Sequence, residues 1–236
     1  MADVLLTLTI PHLYCYYIAM TDKQIIDKTA EFVKEKFSGE GTGHDWWHMY
    51  RVWQLAKKIN KSEKANQLIV ELGALLHDIA DWKFHDGDME AGPKAAREWL
   101  ESITVQEPVI QHIEDIIRNV SFKGAGVASN MSTLEGKIIH DADKIDALGA
   151  IGIARTFAYG GANAREMYNP DKKPKDHKDF EAYKNDKGPT VNHFYEKLLL
   201  LKDRMYTDTA KRMAEKRHTY MEKYLDTFFK EWEGKI

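Results

Sequence analysis

Four of the ten histidines in this 236-residue sequence are followed directly by aspartate: His44-Asp45, His77-Asp78, His85-Asp86 and His140-Asp141. Imidazole and carboxylate together can hold a divalent metal ion, and histidine also moves protons near neutral pH. The pair in LIVELGALLHDIAD differs from the others in context. It ends an apolar run that a core must bury, and such groups are costly at a buried helix end unless paired or bound to metal. For an isolated pair, a helix-terminal histidine beside a solvated aspartate is the ordinary reading. Here there are companions. GHDWWHMYRV places His44 and His48 four residues apart, able to share a helical face. HDADKIDALGA sets Asp143 in an otherwise apolar, small-residue stretch. Donors brought from separate helices are the usual way in which a helical bundle builds a metal site.

Helices are what the periodicity predicts as the carriers. Thr21 with Gln24 makes a capping box for a first helix, which Gly39 closes. A second starts near Asp45 and puts Val52, Leu55, Ala56 and Ile59 on one face. Ser62 can cap a third, with Leu68, Leu72, Leu75, Leu76 and Ile79 as its stripe and His77-Asp78 in its last turn. Pro93 suits the first turn of a short helix ending near Ser102, and Val109 to Val120 marks another. Ser132 with Glu135 boxes the start of a long segment to about Tyr159, and two more helices follow near 190–204 and 207–232. Alternating runs are few and there is no Asn-Gly hairpin signal, so the expected class is all-α: a single multi-helix bundle over 21–236, with 1–20 as an appendage. Residues 160–188, rich in Gly, Lys, Asp and Pro, read as a long polar loop of the kind that serves as a lid or binding loop.

Composition narrows the classes. A formal net charge of -3 gives no reason to expect a nucleic acid or an anionic membrane as partner. One cysteine, Cys15, excludes an intrachain disulfide framework and a cysteine-based zinc finger, in keeping with a reducing cytoplasm. The first nineteen residues are apolar but lack a basic start and are interrupted by Pro11 and His12, unlike an export signal or a membrane span. Translation starting upstream of Met20 is one origin for them, and a cytoplasmic protein is the expectation.

A histidine three residues before Arg-Val, then an apolar helix ending in His-Asp, then a later aspartate: in this order the sequence resembles the HD-domain metal-dependent phosphohydrolases. The motif residues are His48 in HMYRV, His77-Asp78 in LLHDIAD and Asp143 in DADKIDALGA, covering about residues 22–160. GHDWWH, LLHDIADWKFHDGD, DADKIDALGAIGIARTFAYGG and HFYEKLLLLKD further resemble one bacterial subgroup of compact HD hydrolases, whose members include manganese-dependent nucleoside triphosphate pyrophosphohydrolases. The resemblance implies His48, His77, Asp78 and Asp143 as ligands of one divalent ion, with Mn²⁺ favoured and Fe, Co, Ni, Zn or Mg open. A second ion would need more donors, and His112 and His140 are the available histidines. For His140, core packing or support of the ligands is the expected role.

Asp81, three residues past Asp78, is at the offset where related hydrolases carry a catalytic acid, and it is assigned as general base or water-positioning group. Asp86 is a second acid/base candidate, and His44 a supporting or catalytic one. A phosphate chain needs cations: Lys83 and Lys144 adjoin the motifs, while Lys123 and Arg155 lie in segments that could reach the same cleft. Among these cations, Lys144 is the first candidate because it adjoins a ligand. His193 and Lys197 share a helical face and are candidates for the far wall. The aromatic series Trp46, Trp47, Trp53, Trp82 and Phe84 reads as core rather than as a base-stacking platform. The expected partner is a small phosphorylated molecule, a nucleotide first among them, with a homodimer left open as the assembly. Three activities compete: cleavage of nucleoside triphosphates to monophosphate and pyrophosphate, a monophosphatase or alarmone hydrolase, and a nucleotide-binding regulatory module without turnover.

Overall fold

The computed structural model describes residues 20–38, 45–80, 88–120, 131–175 and 188–236, and among them there is no strand. Nine α-helices follow one another there: α1 Asp22–Lys36, α2 Trp46–Glu63, α3 Gln67–Leu76, α4 Ala91–Ser102, α5 Glu107–Val120, α6 Leu134–Asp146, α7 Gly149–Ala162, α8 Asn192–Glu196 and α9 Asp208–Trp232. A 3₁₀ helix, Leu198–Arg204, links the last two. None of the helices is long and apolar enough to cross a membrane.

The innermost element is α3. Every residue from Ile69 to Leu76 is buried, and α1, α2, α5 and α6 pack around it. Gly73 permits the closest approach, because a Cβ there would stand 2.5 Å from Ile139 Cδ1 on α6. One acid is buried with this helix: Glu71 accepts from Trp53 Nε1 and Gln67 Nε2, each at 2.7 Å. Those bonds remove much of the cost of desolvating it.

Caps account for where several helices begin and end. The Thr21–Gln24 box is present, but α1 stops at Lys36 with Phe37 as its cap, and Gly39 lies outside the described residues. Ser62 does not start the third helix; α2 runs through it to Glu63. Lys64 then takes the left-handed conformation (φ 64°), and Asn66 caps α3 by accepting from Ile69 N. The Ser132–Glu135 box is also replaced. Thr133 caps α6 through Gly136 N, and Glu135 accepts from the backbone of Asn66 instead, tying α6 to the start of α3.

The long segment expected to reach Tyr159 is two helices. It breaks at Ala147-Leu148 because Gly149 adopts φ +74°, where its missing Cβ leaves room for the Arg217 stem. The helix expected at 190–204 divides into α8 and the 3₁₀ helix. Residues 160–162 of the expected loop belong to α7, and the chain beyond pairs back on itself through Thr190 N to Glu166 O (2.8 Å) and Val191 N to Met167 O (3.0 Å). Residues 176–187 of that loop lie outside the described residues. Within the aromatic series, Trp46 and Trp53 are half-buried and pack against the core, as expected, whereas Trp47 is 58% exposed and rests on Tyr50. Trp82 and Phe84 fall outside the described residues.

Candidate metal centre

Three helices deliver four side chains to one place. Asp45 caps α2 by accepting from His48 N (3.0 Å), so the His44-Asp45 pair contributes the cap that starts the helix bearing His48. His77 is the C-cap of α3. Its Nδ1 donates to Ala74 O at 2.9 Å, using one of the carbonyls that a helix end leaves without a partner. That bond fixes the ring tautomer and leaves the Nε2 lone pair pointing away from the helix. Asp78 follows directly, and Asp143 comes from the last turn of α6.

The donor atoms converge. His48 Nε2 lies 3.7 Å from both Asp78 Oδ2 and Asp143 Oδ1; His77 Nε2 lies 3.6 Å from Asp78 Oδ2 and 3.9 Å from Asp143 Oδ1. Ligands about 2.1 Å from a common ion stand about 3.4 Å apart in a tetrahedron and about 3.0 Å apart at neighbouring corners of an octahedron, so these spacings close on one ion with a contraction of less than about 1 Å. His48, His77 and Asp78 form the set in which every donor atom is within 4.8 Å of every other; Asp143 approaches the two imidazoles but is not part of that set. His77 Nε2 is buried and has no hydrogen-bond partner among the described residues, which is expensive for a polar atom unless a cation takes its lone pair. Both imidazoles are 1% exposed, while Asp78 and Asp143 are 17% and 24% exposed, so the cluster opens to solvent along its carboxylates.

Behind His48 stands a residue the motif reading did not single out. Asp146, 1% exposed, accepts from His48 Nδ1 (2.9 Å), from Arg51 Nε (2.7 Å) and Nη2 (3.1 Å), and from Arg155 Nη1 (2.8 Å). A carboxylate on the far nitrogen of a metal-binding imidazole orients the ring and raises its basicity. Burial would raise the Asp146 pKa, but the bonds from His48 and Arg51 and the charge of Arg155 pull it down to about 2. For His48, burial acts to lower the pKa, and the bonds to Asp146 and Asp78 overcome it and hold it above the ordinary value. Asp143 is likewise opposed by burial, yet Lys144, His77 and His48 keep it well below the carboxylate range. Sequence did offer a signal for Asp146. DADKID spaces it three residues from Asp143, and HMYR spaces Arg51 three from His48, so each pair shares a helix face.

The other expected residues divide by location. Lys144 is buried, and its ammonium donates to Asp143 Oδ2 (2.9 Å) and Val120 O (3.3 Å), so it holds and neutralises Asp143. Arg155 is on α7 against Asp146. His193 lies on α8 and Lys197 caps its end. His44, Asp81, Lys83, Asp86 and Lys123 lie outside the described residues, as does the His85-Asp86 pair.

The fourth pair has a structural place. His140 Nδ1 is 3.2 Å from Asp141 Oδ1, and its ring packs on Tyr206. Asp141 accepts from Tyr206 N, Thr207 N and Thr207 Oγ1 at 2.8 to 2.9 Å, fixing the residue that caps α9. Asp141→Ala is therefore expected to cost on the order of 3 kcal/mol of folding stability, as three bonds to a buried carboxylate are lost. Bound metal per folded chain should not change. Urea unfolding and elemental analysis check this; lost metal with unchanged stability would contradict it.

A His-Asp step at the end of a buried helix, joined by a histidine from the preceding helix and an aspartate from a later one, defines a class. The HD-domain sequence pattern matches residues 46–148, and the chain belongs to that family as an HD-superfamily hydrolase. It is similar to the Bacillus subtilis protein YpgQ, with 34% identity over 216 residues, 91% of this chain and 97% of that one. A crystal structure of YpgQ in complex with ADP superposes with a TM-score of 0.70 at 33% identity, covering 90% of this chain and 97% of that one. A crystal structure of an HD-superfamily hydrolase from Bacillus thuringiensis shares 44% identity with a TM-score of 0.71, over 90% of this chain and 99% of the other. HD domains bind divalent metals, and the His-His-Asp cluster fits such an ion.

Proposed function

We propose that this hydrolase cleaves nucleoside triphosphates, deoxy forms included, between the α- and β-phosphates, releasing a nucleoside monophosphate and pyrophosphate. His48, His77, Asp78 and Asp143 would hold one divalent ion, with Mn²⁺ favoured. The observation that carries this reading is the make-up of the cluster: two buried imidazoles behind, two part-exposed carboxylates in front, with Lys144 against Asp143 and Arg51 and Arg155 against Asp146. Four protein donors leave room for a phosphate oxygen and water on an ion that accepts six ligands. When bound, the ion would polarise the phosphoryl group and lower the pKa of its water.

The chain's own groups do the rest in this account. Asp81 takes the proton as a water oxygen bonds to the α-phosphorus. The bond from that phosphorus to the bridging oxygen breaks, and its electron pair leaves with pyrophosphate. His44 and Asp86 are assigned to support this proton transfer. Lys144 keeps Asp143 ionised and in place. Lys83, Lys123, Arg155, His193 and Lys197 are assigned to the substrate, the cations spreading the charge of the phosphate chain. The relative YpgQ crystallised with ADP, which supports a nucleotide as the occupant.

Product analysis with Mn²⁺ tests the proposal. The expected result is pyrophosphate and monophosphate in equal amounts from a nucleoside triphosphate. Orthophosphate from monophosphates, with no pyrophosphate from any triphosphate, would replace this reading with a nucleotidase; no turnover of either would leave a binding module.

A further inference from the structure

The arginines around Asp146 bring more positive charge than that carboxylate neutralises. Arg51 comes from α2, Arg155 from α7 and Arg217 from α9, and Asp146 lies at the end of α6. Arg51 spends Nε and Nη2 on Asp146, and Arg217 spends Nη1 on the carbonyl of Ile145 at 2.6 Å. With Arg155 set aside, Arg51 and Arg217 still place two positive charges beside one buried carboxylate. Neither can simply swing away. Arg51 is tied by two bonds, and the Arg217 stem is packed where a Cβ on Gly149 would come within 3.1 to 3.4 Å of it. Arg217 feels the crowding: burial and the nearby charge of Arg51 outweigh the pull of Asp146 and leave its pKa below the ordinary arginine value. Among the described residues, Arg51 Nη1 and Arg217 Nε and Nη2 are committed to no acceptor.

Guanidinium groups anchored at one edge, with donors left over at the other, match the oxygens of a phosphate in two-point contacts. One imidazole ring separates this cluster from the metal donors, since His48 contacts Asp146 through Nδ1 and faces Asp78 and Asp143 through Nε2. We propose that Arg51, Arg155 and Arg217 form a phosphate subsite that adjoins the metal centre and binds a distal phosphate of the substrate chain. The source of that phosphate rests on the triphosphate reading above; the chemistry of the subsite does not. Free pyrophosphate would offer the same groups from solution.

The test uses the full-length Mn²⁺-loaded protein titrated with inorganic pyrophosphate by calorimetry. Arg217→Met keeps the packed stem and removes the guanidinium, and should weaken pyrophosphate binding by about tenfold or more, the scale of a charge-assisted contact. Metal content should stay as in the wild type, and the melting temperature should fall only by what the lost bond to Ile145 O costs. Arg217→Lys, which keeps a charge, should recover part of the loss. Unchanged affinity in Arg217→Met, or equal weakening in the lysine and methionine variants, overturns the subsite. Steady-state inhibition then identifies the source: pyrophosphate competing with triphosphate is the expected result, and non-competitive inhibition would make this a separate effector site, against the proposal. Should no triphosphate be cleaved at all, the functional reading fails by itself, while the pyrophosphate titration still decides whether the subsite exists.

Discussion

Replacing His77 by alanine is expected to give a folded protein that retains no stoichiometric divalent ion and turns over at least about 1000-fold more slowly. The size follows from the several kcal/mol of transition-state stabilisation that a metal supplies, with each 1.36 kcal/mol worth a factor of ten. The fold should survive. The local loss is one hydrogen bond to Ala74 O, worth about 1 kcal/mol, whereas the apolar residues that pack α3 against its neighbours are untouched. Elemental analysis, pyrophosphate release and thermal unfolding measured on one preparation separate these effects. Wild-type metal content in the variant would remove His77 from the site.

The second large effect is expected from Asp146→Ala. This change leaves Arg51 and Arg155 without their shared carboxylate and His48 without its orienting acceptor. Breaking a buried charge pair from one side costs about 3 kcal/mol or more. Loss of the group behind a metal-binding imidazole weakens the ion by about 10- to 100-fold. Asp146→Asn preserves the shape and one acceptor oxygen, so it should fall between alanine and wild type in both properties. Urea unfolding and a Mn²⁺ titration would reveal this order. If the alanine variant bound Mn²⁺ as tightly as wild type, the positioning role of Asp146 would be wrong.

The helical class could be read from sequence because the apolar stripes recur at the helical period through most of the chain, and α3 is apolar on nearly every side. Boundaries were harder. Ser62, Asn66, Ser132 and Thr133 are all competent caps; Asn66 and Thr133 act, and Glu135 binds the backbone of Asn66 instead of closing a box with Ser132. The break before α7 depends on a positive φ at Gly149 and on Arg217, 68 residues further on, filling the space. No local pattern announces that. Trp47 misled where Trp46 and Trp53 did not, because the tryptophans near it in sequence do pack on the core; it lies outside.

At the site, the order of His48, His77-Asp78 and Asp143 carried most of the information, since three helices had to meet for those residues to share an ion. Asp146 and Arg51 are ordinary charged residues in helical sequence, and their meaning comes from burial against His48. Lys144 shows the reverse. Adjacency to Asp143 made it the leading phosphate contact on paper, but its ammonium is turned onto Asp143 and Val120 O.

The central claim is that one divalent ion sits among His48, His77, Asp78 and Asp143. Anomalous diffraction from a crystal grown with Mn²⁺, with data collected on both sides of the manganese edge, tests it most directly. The account predicts one strong peak per chain, about 2.2 Å from His48 Nε2, His77 Nε2, an Asp78 oxygen and an Asp143 oxygen. A peak at His112 or His140 with none among these four residues would contradict it.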